Sequence, residues 1–215
     1  MPSVIEFPAA DTTLVYLIRH GATPHNMMTP PRLQGSGINE SLTERGREQA
    51  GRAADALASR PLAAVYTSPL KRAHETAQII AGPHGQDALV EPAFQEINVG
   101  RWENRTWAEI QAEDADAYAL YRQNPYVHGY PGGETGQGLL DRVTAGLEAI
   151  VARHAGKEVA VVAHSVVNRL YVGTTLGIPP EQSHWTPTSN CGISTVRYKE
   201  GRAKVLTVNA TAHLM

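Results

Sequence analysis

The sequence holds a single cysteine, Cys191. One thiol excludes an internal disulfide and any metal cluster built on several thiolates. Positive charge is not in excess either: 19 Lys and Arg stand against 21 Asp and Glu, a net charge of −2. A protein that binds nucleic acid or an acidic membrane normally carries a basic stripe, so neither is expected as a partner. No apolar run approaches the roughly 20 residues of a membrane span. The opening Met1-Pro2-Ser3-Val4-Ile5-Glu6 has no basic stretch followed by an apolar one, so no signal peptide is read there and a cytoplasmic location is expected. Several motifs are missing as well. There is no G-K-[ST] phosphate loop and no G-x-S-x-G elbow, and Gly35-Ser36-Gly37 lacks the third glycine of a dinucleotide loop. His74-Glu75-Thr76-Ala77-Gln78 lacks the second histidine of a zinc helix, and His128, His154, His184 and His213 have no ligand spacing. Neither a metal nor a cofactor is expected.

What is present suffices for a core: 42% of 215 residues are hydrophobic, enough for one α/β domain with a modest insertion. Thr13–Ile18 is a short run of β-formers that ends on Arg19-His20-Gly21, which reads as a buried strand followed by a glycine turn. A helical pattern runs from Leu42-Thr43 to about Ser59, a second strand covers Ala63–Thr67, and a second helix covers about Arg72 to Ala81. From about 91 to 138 the character changes. This segment holds Trp102, Trp107, Tyr118, Tyr121, Tyr126 and Tyr130 around one expected helix, Trp107–Tyr121, and reads as an insertion capping a site. Alternation then resumes with a helix from about Gly138 to His154, a strand Glu158–Ala163 and a helix Val167–Leu176. Strands Ile193–Tyr198 and Lys204–Val208 close the chain.

Strands alternating with helices predict a three-layer α/β/α sandwich around a mostly parallel sheet, with 1–215 as a single domain and the cap inserted in it. In such sheets functional groups gather beyond the C-terminal strand ends. Three sets lie there: Arg19-His20, Ser68 to Arg72, and His164. Phosphoryl transfer from a monoester needs charge stabilisation on three equatorial oxygens, an in-line nucleophile and an acid for the leaving oxygen. Two arginines, whose planar forks match phosphate oxygens, and two histidines at strand ends would meet the first two needs.

These residues also carry a resemblance. Arg19-His20-Gly21-Ala22-Thr23-Pro24-His25-Asn26 resembles the R-H-G-x-T-x-x-N signature of the histidine phosphatase (phosphoglycerate mutase-like) superfamily. The likeness continues in order through Leu42-Thr43-x-x-Gly46-x-x-Gln49-Ala50 and Ser68-Pro69-Leu70-x-Arg72-Ala73-x-x-Thr76-Ala77. Glu96-x-x-x-Gly100-x-Trp102-Glu103, Pro131-Gly132-Gly133-Glu134 and Val161-Val162-Ala163-His164 complete it, so it spans nearly the whole chain. The resemblance implies a metal-independent phosphomonoesterase acting on a small phosphorylated substrate, a sugar phosphate or phosphoglycerate-like acid. It implies His20 as nucleophile, Glu96 as acid then base, and His164 as a catalytic, phosphate-binding histidine. Arg19, Arg72 and Asn26 would bind the phosphate. Thr23, His25, Ser165 and Arg101 are further candidates for touching the substrate.

Departures from the family pattern are local. Ser165 follows the second histidine where glycine is common, and either adds a donor to phosphate or caps the next helix. The loop from Gln34 to Leu42 is one residue long, with Asn39 where aspartate is usual and Ser41 where proline is usual. Glu103 competes with Glu96 for the acid. The mutase branch carries Glu-Arg-x-Tyr-Gly after the acid and an Arg-Arg pair in its cap; here Ile97-Asn98-Val99-Gly100 follows Glu96 and no Arg-Arg pair occurs. Hydrolysis is therefore favoured over a phosphoglycerate mutase-type transfer. A non-catalytic phospholigand-binding or interaction module is the alternative from another class. A homodimer through an edge strand or helix would be ordinary, although no residue commits to one.

Overall fold

Apolar side chains alternate along two central strands, and each alternate set meets its own layer of helices. The first strand, β1, is Thr12–Arg19. After it come helix α1 (Glu44–Leu57), strand β2 (Leu62–Thr67), helix α2 (Lys71–Ala81) and the two-residue strand β3 (Leu89–Val90). Helices α3 (Trp107–Glu113), α4 (Ala115–Gln123), α5 (Pro125–His128) and α6 (Gly136–Arg153) precede strand β4 (Glu158–Ala163). Helix α7 (Ser165–Thr175) and strands β5 (Ile193–Lys199) and β6 (Arg202–Ala210) follow. This is a computed structural model that describes residues 11–215; residues 1–10, where no signal peptide was read, lie outside the described residues.

Among the described residues, six strands form one sheet in the order β3-β2-β4-β1-β5-β6. β3, β2, β4 and β1 run parallel, and β5 and β6 add an antiparallel edge. From β1 and β4, Val15, Leu17, Val159 and Val161 pack with Leu139, Val143 and Leu147 of α6 and Leu170 of α7. Tyr16, Ile18, Ala160 and Val162 point the other way, onto Ala50, Ala53 and Leu57 of α1 and Ala73, Ala77 and Ile80 of α2. The α/β/α layering expected from the alternation is what forms. Small residues dominate the α1 and α2 contact, which lets their backbones lie near the sheet.

The segment between β3 and α6 differs from its expected single helix. Asp114 breaks it, with φ −141° and ψ 46° between α3 and α4. The carboxylate of Asp114 accepts from the indole Nε1 of Trp102 at 2.7 Å and from Nε and Nη2 of Arg101, both at 2.8 Å. Those long-range bonds outweigh local helix propensity. The short β3, on the sheet edge, was also not expected. No helix among the described residues is long and apolar enough to cross a membrane.

Candidate active site

Sheet register assembles the site. Arg19 of β1 lies opposite Ala163 of β4, and Thr67 of β2 lies opposite Val162. The ladder runs one residue further on each side: the His20 N–H donates to the Ala163 carbonyl at 3.0 Å, and the Ser68 N–H to that of Val162 at 3.1 Å. The three strand ends thus deliver His20, Ser68 and His164 side by side. The turn after His20 lies directly on α1. A Cβ on Gly21 would stand 2.3 Å from the carbonyl oxygen of Gly46, and one on Gly46 2.1 Å from that of Ala22. Only glycine fits at both positions.

His20 and His164 are buried, with ring centroids 5.2 Å apart. Nδ1 of His20 lies 2.7 Å from the carbonyl oxygen of Gly21. A carbonyl can only accept, so Nδ1 carries the proton and the neutral ring keeps its lone pair on Nε2. Burial, with Arg19 and Arg72 nearby, pushes the pKa of His20 well below the ordinary histidine value. His164 is pushed well down too, by burial first and then by Arg72, His20 and Arg19. Nε2 of His164 is 2.8 Å from Oγ of Ser68, and that Oγ already accepts from the Leu70 N–H at 3.2 Å. In the tautomer in which Ser68 donates to Nε2, the ring N–H stands on Nδ1, which is buried without a partner.

The two arginines share that condition. Arg72, fully buried, donates from Nη1 to the Ile38 carbonyl at 2.6 Å and from Nη2 to that of Gly35 at 3.0 Å. Arg19 donates from Nη1 to the Thr188 carbonyl at 2.7 Å. Neither has a carboxylate at ion-pair distance among the described residues. Burial lowers the pKa of both. The Nε–H of each is buried and unpartnered. Near His20, therefore, the fold leaves three buried nitrogens without a partner among the described residues: Nε of Arg19, Nε of Arg72 and Nδ1 of His164.

Glu96, also buried, sits where the next chain segment meets α7. Its Oε1 accepts from the Ile97 N–H at 2.9 Å and its Oε2 from the Val166 N–H, in the first turn of α7, at 3.2 Å. Arg142 of α6 holds the approach to Glu96: Nη1 reaches the carbonyls of Ala93 and Gln95 at 2.7 and 2.8 Å while the fork grips Glu134. Glu103, the rival carboxylate, is used otherwise. It accepts from the N–H groups of Gly35 at 2.6 Å and Gly37 at 3.0 Å, in the same loop whose carbonyls hold Arg72. Asn39 of that loop accepts from the Lys71 N–H at 2.7 Å at the start of α2. An amide oxygen serves there as well as a carboxylate.

The remaining candidates divide. Oδ1 of Asn26 accepts from the Thr23 N–H at 3.1 Å and Oγ1 at 3.2 Å and from Nδ2 of Asn190 at 3.2 Å; that same Nδ2 holds the His20 carbonyl at 2.8 Å. Thr23, buried, also caps a short turn over Pro24–Met27. His25 is buried with Nε2 unpartnered, its Nδ1 4.0 Å from Glu40. Ser165 does not cap α7, since His164 stands at the cap without a side-chain bond; its hydroxyl meets that of Thr188 at 2.8 Å. Arg101 is engaged elsewhere, by its fork on Asp114. Ser68, Thr188, Asn190 and Arg142 went unassigned in the sequence. Ser68 and Thr188 stand beside recognised residues, but only the fold brings Asn190 and Arg142 in. Among the described residues, no group of three or more His, Cys, Asp or Glu is placed to hold a metal ion.

Such an arrangement, a neutral histidine with a free ring nitrogen beside buried arginine donors at parallel strand ends, has the chemistry to receive a phosphoryl group. The family model described as histidine phosphatase superfamily (branch 1) matches residues 15–211. The chain belongs to that superfamily and is an enzyme of the histidine phosphatase class. It is 30% identical over 198 residues to phosphoserine phosphatase 1 of Hydrogenobacter thermophilus, covering 92% of each chain. It is 33% identical over 187 residues to the probable phosphoglycerate mutase GpmB of Escherichia coli, covering 86% of this chain and 85% of that one. Among solved structures, YhfR of Bacillus stearothermophilus superposes with a TM-score of 0.85 at 30% identity, over 94% of this chain and 100% of the other.

Proposed function

We propose that the chain hydrolyses a small phosphorylated metabolite, a sugar phosphate or phospho-acid, through a phosphohistidine on His20. The observation that carries this reading is the trio of buried, unpartnered donors on Arg19, Arg72 and His164 beside a histidine whose free lone pair is on Nε2. Each unmet donor costs the fold roughly 1–3 kcal/mol, and a phosphoryl group with three equatorial oxygens answers all three at once. In the first step Nε2 of His20 forms a bond to phosphorus as the ester P–O bond breaks. Glu96 gives its proton to the departing alkoxide, so a neutral alcohol leaves. In the second step Glu96 takes a proton from water, the water oxygen bonds to phosphorus, the P–N bond breaks, and inorganic phosphate leaves with His20 neutral again. Arg19, Arg72 and His164 stabilise the equatorial charge in both steps, and Asn26 sets the loop beside them.

The same reading takes the chain as one domain in which the segment from about 91 to 138 caps the site. It favours water over a sugar-acid acceptor because the basic pair and the Glu-Arg-x-Tyr-Gly pattern of the mutases are missing. The test is phosphate release from p-nitrophenyl phosphate in EDTA by the wild type and by His20→Ala. Turnover by the wild type that falls at least ~10³-fold in the variant is the expected result. Undiminished turnover by the variant removes His20 as nucleophile. Transfer of phosphate from a bisphosphate to an acceptor, in preference to water, would instead establish a mutase.

A further inference from the structure

A cavity of about 610 Å³ lies beside the backbone that holds Glu96. Ile97 and Val166, whose N–H groups hold the two oxygens of Glu96, both line it. If Glu96 protonates the leaving oxygen, as proposed above, the alcohol half of the substrate extends into this space. One wall is aromatic: Trp107, Tyr118 and Tyr121 line it, with the ring of Trp107 5.5 Å from that of Tyr121 and 6.1 Å from that of Tyr118. Such a wall offers flat faces to a ring rather than donors to a polyol. Its volume is that of sites for ligands well above a three-carbon acid in size.

The lining also carries charge. Arg169, on α7, lines the cavity with its Nε buried and unpartnered, and no carboxylate lies within ion-pair distance of it among the described residues. Arg122 also lines the space, exposed and likewise without an ion pair among the described residues, against a single acidic residue, Glu181. A half-buried guanidinium with an unmet donor, separate from the donors around His20, calls for an anion of its own.

We propose that this cavity takes the alcohol half of a phosphomonoester built on a ring and bearing a second anionic group, the ring against Trp107, Tyr118 and Tyr121 and the anion on Arg169. The inference rests on Glu96 standing at the leaving-group side. Binding is therefore read apart from turnover, by calorimetry on His20→Ala with phenyl phosphate, 3- and 4-carboxyphenyl phosphate, and 3-phosphoglycerate. One carboxyphenyl isomer is expected to bind about tenfold tighter than phenyl phosphate, as a charge-assisted pair predicts, and tighter than 3-phosphoglycerate, which has the acid without the ring. Adding Arg169→Met should erase the preference for the carboxylated ring. Equal binding of the carboxylated and plain rings, a preference that survives Arg169→Met, or tighter binding of 3-phosphoglycerate would each overturn the proposal. Failure of the phosphatase reading would show differently, as no wild-type turnover of any ester, whatever these affinities are.

Discussion

Arginines stand at both ends of the central sheet, and the fold treats them in opposite ways. At the N-terminal end of β4, Glu158 is 1% exposed and accepts from Nε of Arg60 at 2.7 Å, from Nη2 of Arg60 at 2.5 Å and from the Tyr16 hydroxyl at 2.6 Å. At the C-terminal end, Arg19 and Arg72 meet only backbone carbonyls and keep an unmet Nε–H each. Desolvating a charge costs several kcal/mol at either end. At the first end the compensation is inside the chain. At the second, on the proposed function, it is left to the substrate's phosphoryl group, which would distinguish a site from a strut.

A matched pair of variants breaks the comparison most sharply. Glu158→Ala should lower stability by about 1–3 kcal/mol, because it leaves the Tyr16 hydroxyl and the Arg60 guanidinium without their acceptor, while kcat/KM of the folded fraction stays near wild type. Arg72→Met should do the reverse. Its kcat/KM should fall about 10²–10³-fold, as for loss of an aimed donor in a transition state, with a much smaller change in the urea midpoint. Urea titration and phosphatase kinetics on both proteins check this. Equal loss of stability in the two would mean that Arg72 is a strut as well.

The difference also sets a pH dependence. His20 and His164 have folded pKa values held well below those of the unfolded chain, by burial first and then by the arginines. Below the unfolded value of about 6.5 the unfolded chain takes up protons that the folded one refuses, so stability falls as pH falls; above it neither state binds the proton and the effect is gone. Each histidine adds up to about 1.4 kcal/mol per pH unit across that window. Urea midpoints at pH 6.5 and 5.5 should therefore drop more steeply for the wild type than for the double variant His20→Asn, His164→Asn. Parallel slopes would show that both histidines protonate freely in the folded protein.

How much of this was legible in the sequence follows from what kind of partner each group has. His20, Arg72, His164 and the strands that carry them are readable because a β-run stopped by a polar cluster is a local pattern, and because strand ends in a parallel sheet converge. The partners of Arg72 are carbonyls of Gly35 and Ile38, and a carbonyl has no letter in a sequence. Glu103 reads as a spare acid until its bonds to the Gly35 and Gly37 N–H groups are seen. The break at Asp114 depends on Trp102 and Arg101, 12 and 13 residues back, beyond any helical window. Arg169 lies one helical turn past a recognised motif, and nothing in its neighbours signals the cavity it faces.

The smallest effect concerns Ser68, which belongs to neither kind of arginine environment but fixes what His164 can offer. Its hydroxyl accepts from the Leu70 N–H and lies 2.8 Å from Nε2 of His164, to which the proposed tautomer has it donate. Without it, the neutral imidazole is free to put its proton on Nε2, and on the proposed function Nδ1 would then meet the phosphoryl group as a lone pair rather than as a donor. A net hydrogen bond is worth about 0.5–1.5 kcal/mol, so Ser68→Ala should lower kcat/KM roughly two- to tenfold. The loss should fall on kcat more than on KM if the donor matters most as charge builds on the equatorial oxygens. Nitrogen-15 shifts of His164 report the tautomer directly: Nδ1–H in the wild type and a mixed population in the variant. A wild type already protonated on Nε2 would reverse the direction of the Ser68 bond and remove His164 from the set of donors, leaving the two arginines to hold the phosphate alone.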